Sequence, residues 1–352
     1  MSSITLTPLL YEAVLRYVSE SDGPFSFTKT KVGVNNHVFV VKSSKLPESF
    51  VLRMYNNGNN KEKVICEHEV LRQLSQVKLG FQVPNSIELI DDNNEGSRLK
   101  HNIAFLSNGS CVSAFKFIVG SCPYLSCCFT IGATLGELTL ALATIDKTLI
   151  NTTRHPFYDI FYSHELISRD VFFNCLSDPV FSSHQNSLNF LVAELHQLET
   201  KSLHQLSLPK QIIHGDLQYE NVLCDQGVVT AVLDFEFVTF DYRVMDLAIC
   251  LSKYVGENDP FQYIEPCLQG YSHHVTLTPQ EIEFLPTCII VRVVWSLVYF
   301  MGRIVAKEEV PATLCNRLEN YCQRVRWCHA NTLLLQAMLK TCQSVSSHRS
   351  NF

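Results

Sequence analysis

Residues 212 to 236 constrain this chain more than any other stretch. Ile212 and Ile213 lead into His214-Gly215-Asp216, and Asn221 follows five residues after the aspartate. Val222-Leu223-Cys224 reads as a short strand that turns at Asp225-Gln226-Gly227. A second strand, Val228 to Leu233, delivers Asp234 and Glu236. Two apolar strands joined by a glycine-containing turn make a β-hairpin. A carboxylate and an amide then stand at one end of it, and two acids at the other.

An acid near an acceptor hydroxyl, followed by an Asn and an Asp able to hold metal against phosphates, is the arrangement that magnesium-nucleotide phosphoryl transfer requires. The ordered set is HGD-x4-N, a hairpin, D-x-E, and Asp246-Leu247-Ala248 at a helix start. It resembles the superfamily of aminoglycoside phosphotransferases, choline kinases and type II homoserine kinases, small-molecule kinases with a protein-kinase-like fold. The nearest likeness is to bacterial type II homoserine kinase-like proteins, carried also by Val51-Leu-Arg-Met-Tyr55 and Glu67-His-Glu-Val-Leu71. The resemblance implies ATP and Mg2+ as cofactors. It makes Asp216 the catalytic aspartate that takes or orients the acceptor proton, and Asn221 and Asp234 the magnesium ligands. Glu236 contacts the metal through water or pairs with a nearby cation. His214 orients the loop and Asp246 holds it, both as structural residues. No Asp-Phe-Gly to Ala-Pro-Glu activation segment follows Asp234, which sets the chain apart from protein kinases.

The first third reads as strands with one helix. An amphipathic helix is expected over 7–19, opened by Thr7-Pro8, with Leu10, Val14 and Tyr17 on one face. Strands are expected at 25–31, 37–42, 50–55, 86–90, 102–106 and 111–117, and a helix at 60–76. Gly33 to Asn36 forms the first strand-to-strand turn, where glycine permits close backbone approach to a phosphate. The resemblance makes Gly33 and Asn36 part of a phosphate-covering loop. Arg53 stands where related kinases present a phosphate-pairing lysine, and Glu67 where they place its helix glutamate. A strand-surface arginine and a solvated glutamate are the plain alternatives, and Glu69 reads as solvated. Phe117 lies in the expected hinge, 115–120, where adenine would bind.

From about 119 onward helices dominate, at 127–144, 187–199, 246–254 and beyond. Thr278-Pro279-Gln280-Glu281 is a capping box opening a helix ahead of a long apolar one, and the tail from about 343 reads as frayed. Arg292, the single charge in 288–301, has two readings: a structural ion pair, or a site for an acceptor carboxylate. Gln218 and Glu220 read as exposed loop positions, with Glu220 a further candidate to face the acceptor.

Composition narrows the class. The chain has 352 residues, 46% hydrophobic and 18% charged, with net charge −6, so no basic face for nucleic acid is offered. Fourteen scattered cysteines include Cys122-x4-Cys127 without a second ligand pair, and read as reduced thiols in a cytoplasmic protein. The start lacks the basic and apolar regions of a signal peptide, and Arg292 interrupts the apolar run 287–305, which reads as a buried helix rather than a membrane span. The expectation is a two-lobe α+β fold: a β-rich nucleotide-binding lobe, 1–117, and a mostly helical catalytic and acceptor-binding lobe, 118–352. The expected activity is transfer of the γ-phosphoryl group to a hydroxyl of a small amino-acid-like or amino-alcohol metabolite, by a monomer or homodimer. The alternatives are an aminoglycoside or a hydroxylated or guanidino secondary metabolite as acceptor. A nucleotide-binding pseudokinase acting as an interaction module is the rival of another class.

Overall fold

The computed structural model describes residues 3–30, 36–56, 61–90, 102–150 and 154–349. Gly33 lies outside the described residues. The chain forms two compact units: residues 1–122 with 222–226 and 230–236, and residues 123–221, 227–229 and 237–352. The first is sheet-rich and the second helical, so the fold is α+β.

In the first unit, helix α1 (Ser3–Val14) precedes strands β1 (Ser26–Lys29), β2 (His37–Lys42) and β3 (Phe50–Met54). Helix α2 (Lys61–Leu74) then leads to β4 (Ile103–Phe105) and β5 (Cys111–Lys116). The strands make one antiparallel sheet in the order β1-β2-β3-β5-β4. Alternation along the strands places Phe39, Val41, Phe50, Leu52, Met54, Val112 and Ala114 on one face, and Leu10, Ala13, Val14 and Tyr17 pack against them. Burying an apolar side chain of this size contributes about 1.5–3 kcal/mol. The same alternation turns Arg53 and its cross-strand neighbour Ser113 to the opposite face, where α2 lies. His68 of α2 fixes the helix there, its Nε2 lying 2.9 Å from the Tyr55 hydroxyl and 3.0 Å from that of Ser113.

Helices α3 (Cys128–Leu142), α4 (Arg169–Cys175) and α5 (Gln185–Thr200) follow. Strand β6 (Lys210–Ile213) runs into the loop 214–221, the hairpin β7 (Val222–Asp225) and β8 (Val228–Val232), and β9 (Thr239–Tyr242). Antiparallel pairing of β6 with β9 brackets the hairpin. Most of the hairpin groups with the first unit through backbone bonds: Ser121 and Cys224 exchange N–H···O contacts at 3.0 and 2.8 Å, and Gln82 pairs in parallel with Ala231.

Helices α6 (Val244–Tyr254), α7 (Phe261–Ser272), α8 (Pro279–Val305) and α9 (Pro311–Arg349) complete the second unit. The capping box at Thr278 and Glu281 opens α8 itself. Glu281 is fully buried and accepts two bonds from the Arg243 guanidinium at 3.0 and 2.6 Å, tying the start of α8 to the start of α6. By length and composition α8 could cross a membrane, but 72% of its most apolar window is buried in the molecule, as a core helix would be.

Several local expectations change. Pro8 lies inside α1, which begins at Ser3 and ends at Val14, instead of opening a helix over 7–19. Residues 86–90 form no strand; Ser86 makes an isolated bridge to Phe115, and Ile87 donates to Ala114 at 2.8 Å. One helix, α8, continues through Pro286 where two were expected. Residues 343–349 are the last turns of α9 rather than a frayed tail. None of the fourteen cysteines is in a disulfide, and most are buried.

Helices α3 and α7 meet backbone to backbone. A Cβ at Gly132 would stand 2.0 Å from the Cys267 carbonyl oxygen, and one at Gly270 would stand 2.0 Å from that of Phe129. Neither obstacle is a side chain that can rotate away. Gly270→Ala therefore forces the helices apart and lowers stability by about 1–3 kcal/mol, as overpacking does. A shift of the urea unfolding midpoint checks this, and an unchanged midpoint contradicts it.

Candidate functional site

The loop after β6 is built around a backbone that only glycine accommodates. Gly215 has φ +79°, and a Cβ there would stand 2.3 Å from the Phe237 carbonyl oxygen. The buried Asp246 carboxylate accepts the N–H of His214 at 2.8 Å through one oxygen and that of Gly215 at 2.8 Å through the other. Burial raises the Asp246 pKa and the two N–H bonds lower it, leaving it at about 6. His214 is also fully buried, and its Nδ1 accepts the Asp216 N–H at 3.1 Å, which leaves Nε2 as the protonated nitrogen.

Asp216 is thereby held at the loop's turn. Asn221 Nδ2 donates to Asp216 Oδ2 and to its backbone oxygen, each at 2.9 Å. That commits the amide nitrogen and leaves Asn221 Oδ1 as the atom able to bind a cation. Arg292 of α8 donates Nη2 to Asp216 Oδ1 at 2.6 Å. The partner of the single charge in that apolar run is thus the loop aspartate itself. The guanidinium lies between aromatic rings, 5.4 Å from the Phe157 centroid and 5.0 Å from that of Trp295. Trp295 stacks on Tyr299 at 5.0 Å, and Arg303 pairs with Glu308 at 3.4 Å.

One loop position differs from expectation. Gln218 is buried and directs its amide at the Ile249 carbonyl at 3.4 Å, so it is a packing residue rather than an exposed one. Glu220 pairs with Lys253 of α6 at 2.9 Å and keeps its side chain partly exposed.

In the first unit, Arg53 gathers three acids. Nη1 donates to Glu67 Oε1 at 2.7 Å, Nη2 donates to Asp234 Oδ1 at 2.8 Å, and Glu236 Oε2 stands 3.8 Å away. Burial of Arg53 opposes its charge, but Glu67, Asp234 and Glu236 outweigh that and hold its pKa well above the usual value. Glu236 also accepts from Asn36 Nδ2 at 3.1 Å, while Asn36 Oδ1 accepts the Asn56 N–H at 3.1 Å. Asp234 has φ +64°, a left-handed conformation that Asp tolerates better than most residues. Glu69 turns away to Arg72. Phe117, just past β5, is 43% exposed.

Two residues, Phe157 and Asp241, escaped sequence reasoning. Phe157 and Trp295 flank Arg292, and the Phe157 N–H donates to Asp241 at 2.6 Å. Burial raises the Asp241 pKa to about 7 despite that bond. Nothing in the spacing around Asp241 marks it, because its partner lies 84 residues away.

Residues 26–285 match the family described as APH, Phosphotransferase enzyme family. The homoserine kinase of Sinorhizobium medicae (strain WSM419) is 35% identical over 83 residues, 23% of this chain and 26% of that protein. The hydroxylysine kinase of Xenopus laevis is 28% identical over 207 residues, 54% of this chain and 53% of that protein. The chain thus spans about a quarter of the first relative's length and about half of the second's. Among solved structures, an amicoumacin kinase, hAmiN, in complex with AMP-PNP, Ca2+ and Ami aligns with TM-score 0.64 and 15% identity over 91% of this chain and 92% of that one. A microcompartment-associated aminopropanol kinase aligns with TM-score 0.63 and 14% identity, covering 94% and 98%. These likenesses are ones of fold.

The Asp246 carboxylate gives a test of the loop's construction. Asp246→Asn offers one acceptor oxygen to two buried N–H groups and costs about 1–3 kcal/mol. In the unfolded chain the carboxyl titrates near its ordinary value, about 4, and in the folded chain at about 6. Its linkage contribution is fully present below about pH 4 and is lost as pH rises through about 6. Urea midpoints of the wild type should fall over that window, and those of Asp246→Asn should fall less. Equal slopes contradict the assignment.

Proposed function

This chain belongs to the phosphotransferase enzyme family, and we propose that it transfers the γ-phosphoryl group of ATP to a hydroxyl of a small amino-acid-like or amino-alcohol metabolite. The observation that carries the reading is the Asp216–Asn221 pair, with the amide nitrogen fastened to the aspartate and its oxygen left for a cation. Homoserine kinase, hydroxylysine kinase and aminopropanol kinase are all named for acceptors that join a hydroxyl to an amine.

The donor set fits a magnesium ion. Asn221 and Asp234 offer an amide and a carboxylate oxygen, which suit a hard cation that keeps waters and phosphate oxygens as its other ligands. Arg53, Glu67, Asp234 and Glu236 together carry one positive and three negative charges, so triphosphate binding there calls for added positive charge. When bound, the metal neutralises charge on the β- and γ-phosphates. Arg53 supports the phosphates through its fixed charge, with Glu67 holding it in place. We assign Asn36, Phe117 and Gly33 to nucleotide binding, Gly33 lying outside the described residues. Asp216 orients the acceptor hydroxyl and takes its proton, while His214 and Asp246 keep the loop in shape. Positioning and charge neutralisation carry the rate, with no phospho-enzyme. The setting is cytoplasmic, with no nucleic-acid or membrane partner, and the protein acts as a monomer or homodimer.

An arginine beside Asp216 favours an acceptor bearing a carboxylate over a polycationic aminoglycoside. The Arg53–Asp234 bond at 2.8 Å supports the second reading, a pseudokinase, since it engages the phosphate-pairing cation with the metal carboxylate.

Phosphate transfer from labelled ATP with magnesium, measured over homoserine, other hydroxy amino acids, choline, aminopropanol, aminoglycosides and guanidino alcohols, separates these readings. Turnover of one acceptor should fall about 10²–10⁴-fold in Asp216→Asn while ATP binding persists. Near-normal turnover removes Asp216 from the chemistry. Asp234→Ala should abolish magnesium-dependent nucleotide binding, and unchanged binding moves the metal elsewhere. Nucleotide binding with silence across the panel favours the pseudokinase.

A further inference from the structure

Arg292 uses half of its hydrogen-bonding fork. Nη2 donates to Asp216 Oδ1 at 2.6 Å, while Nη1 is buried and meets no hydrogen-bond partner among the described residues. The residue is only 9% exposed, and the rings of Phe157 and Trp295 beside it accept no conventional bond. A buried donor left unmade costs about 1–3 kcal/mol, more on a charged group. A planar carboxylate satisfies a guanidinium with two parallel N–H···O bonds, a geometry that the single contact with Asp216 does not use.

We infer that the acceptor's own carboxylate takes both Nη1 and Nη2 of Arg292 and displaces Asp216, so that Asp216 is a base released by its substrate. The inference rests on the phosphotransferase reading and narrows its acceptor to a hydroxylated carboxylic acid. The exchange is charge-neutral. Before binding, the buried guanidinium is compensated by Asp216, and afterwards by the incoming carboxylate, so the cation is never left unpaired. Asp216 stays oriented throughout, because Asn221 still donates to Oδ2 and to the backbone oxygen. Only Oδ1 changes partner, from Arg292 to the acceptor hydroxyl.

Transfer then balances simply. The acceptor oxygen bonds to the γ-phosphorus as the bond from that phosphorus to the β–γ bridging oxygen breaks. ADP leaves with the electron pair, and the hydroxyl proton passes to Asp216 Oδ1. In the absence of acceptor, Arg292 keeps Oδ1 occupied and water finds no free base. Arg292 is therefore a specificity-determining residue that also restrains futile hydrolysis of ATP.

ATP hydrolysis by the full chain with magnesium, without any hydroxyl acceptor, tests this. The probes are carboxylates that lack a hydroxyl: acetate, glycine, 2-aminobutyrate and lysine, each against its amide. At least one carboxylate should raise wild-type hydrolysis about tenfold, within the range of general-base assistance, and its amide should not. Arg292→Gln should hydrolyse ATP faster than wild type with no probe and ignore the carboxylates. Arg292→Lys, which keeps the charge without the fork, should respond weakly. The wild-type arm stands whether or not the variants fold. Wild-type hydrolysis indifferent to every carboxylate, or equally raised by the amides, overturns the inference. Calorimetry with Mg-ATP separates the two failures. Binding of Mg-ATP with indifference to the probes sinks this inference alone, whereas loss of Mg-ATP binding sinks the phosphotransferase reading and this inference with it.

Discussion

Asp246 lies in the first turn of α6 with its two carboxylate oxygens turned to the backbone N–H groups of His214 and Gly215. Those groups belong to a turn with a left-handed glycine, and without the carboxylate they would be buried donors lacking partners. Everything proposed for the loop depends on this arrangement. Fixing residues 214 and 215 places the His214 ring to accept from Asp216, which sets Asp216 where both Asn221 and Arg292 reach it. The cost is a desolvated carboxyl, visible in its raised pKa. A helix that presents an acid to a loop is thus a scaffold whose stability is partly given up for position.

The first unit handles charge differently. Arg53 sits at the centre of three carboxylates, on the sheet face opposite the apolar layer that α1 covers. Strand alternation alone decides this: Leu52 and Met54 go to the hydrophobic side, and Arg53 between them must go to the other. A one-residue slip of β3 would bury the guanidinium among Phe39, Val41 and Val112, where nothing could pair it. The apolar register therefore protects the polar site. His68, next to Glu67 on α2, anchors the helix to Tyr55 and Ser113 and so keeps the glutamate within reach.

Much of this was legible in the sequence because it is encoded locally. The hairpin, the capping box at Thr278 and the strand bearing Arg53 follow from turn chemistry and short periodicities. What was not legible involves partners far apart in the chain. Arg292 and Asp216 are separated by 76 residues, and only packing of α8 near the loop reveals them as partners. Gln218 looks like an exposed loop amide, yet the short helical turn at 219–221 tucks it under α6. The last turns of α9 carry Gln343, Ser344 and Ser346, which suggest fraying, but Cys342 and Leu339 beside them are buried and hold the helix together. Pro286 sits within α8 because the helix's packed neighbours outweigh the one backbone bond that a proline removes.

The bidentate contact between Arg243 and Glu281 pins the start of α8, and Arg292 lies eleven residues further along the same uninterrupted helix. The helix acts as a ruler between a fixed mark and a reading point. Insertion of one residue between 281 and 292 would turn Arg292 by about 100° around the axis and advance it by about 1.5 Å, with every residue of the loop unchanged. The Arg292–Asp216 contact is therefore indexed by helical phase. Across the apolar stretch between these two positions, side-chain identity is open to exchange in a way that chain length is not.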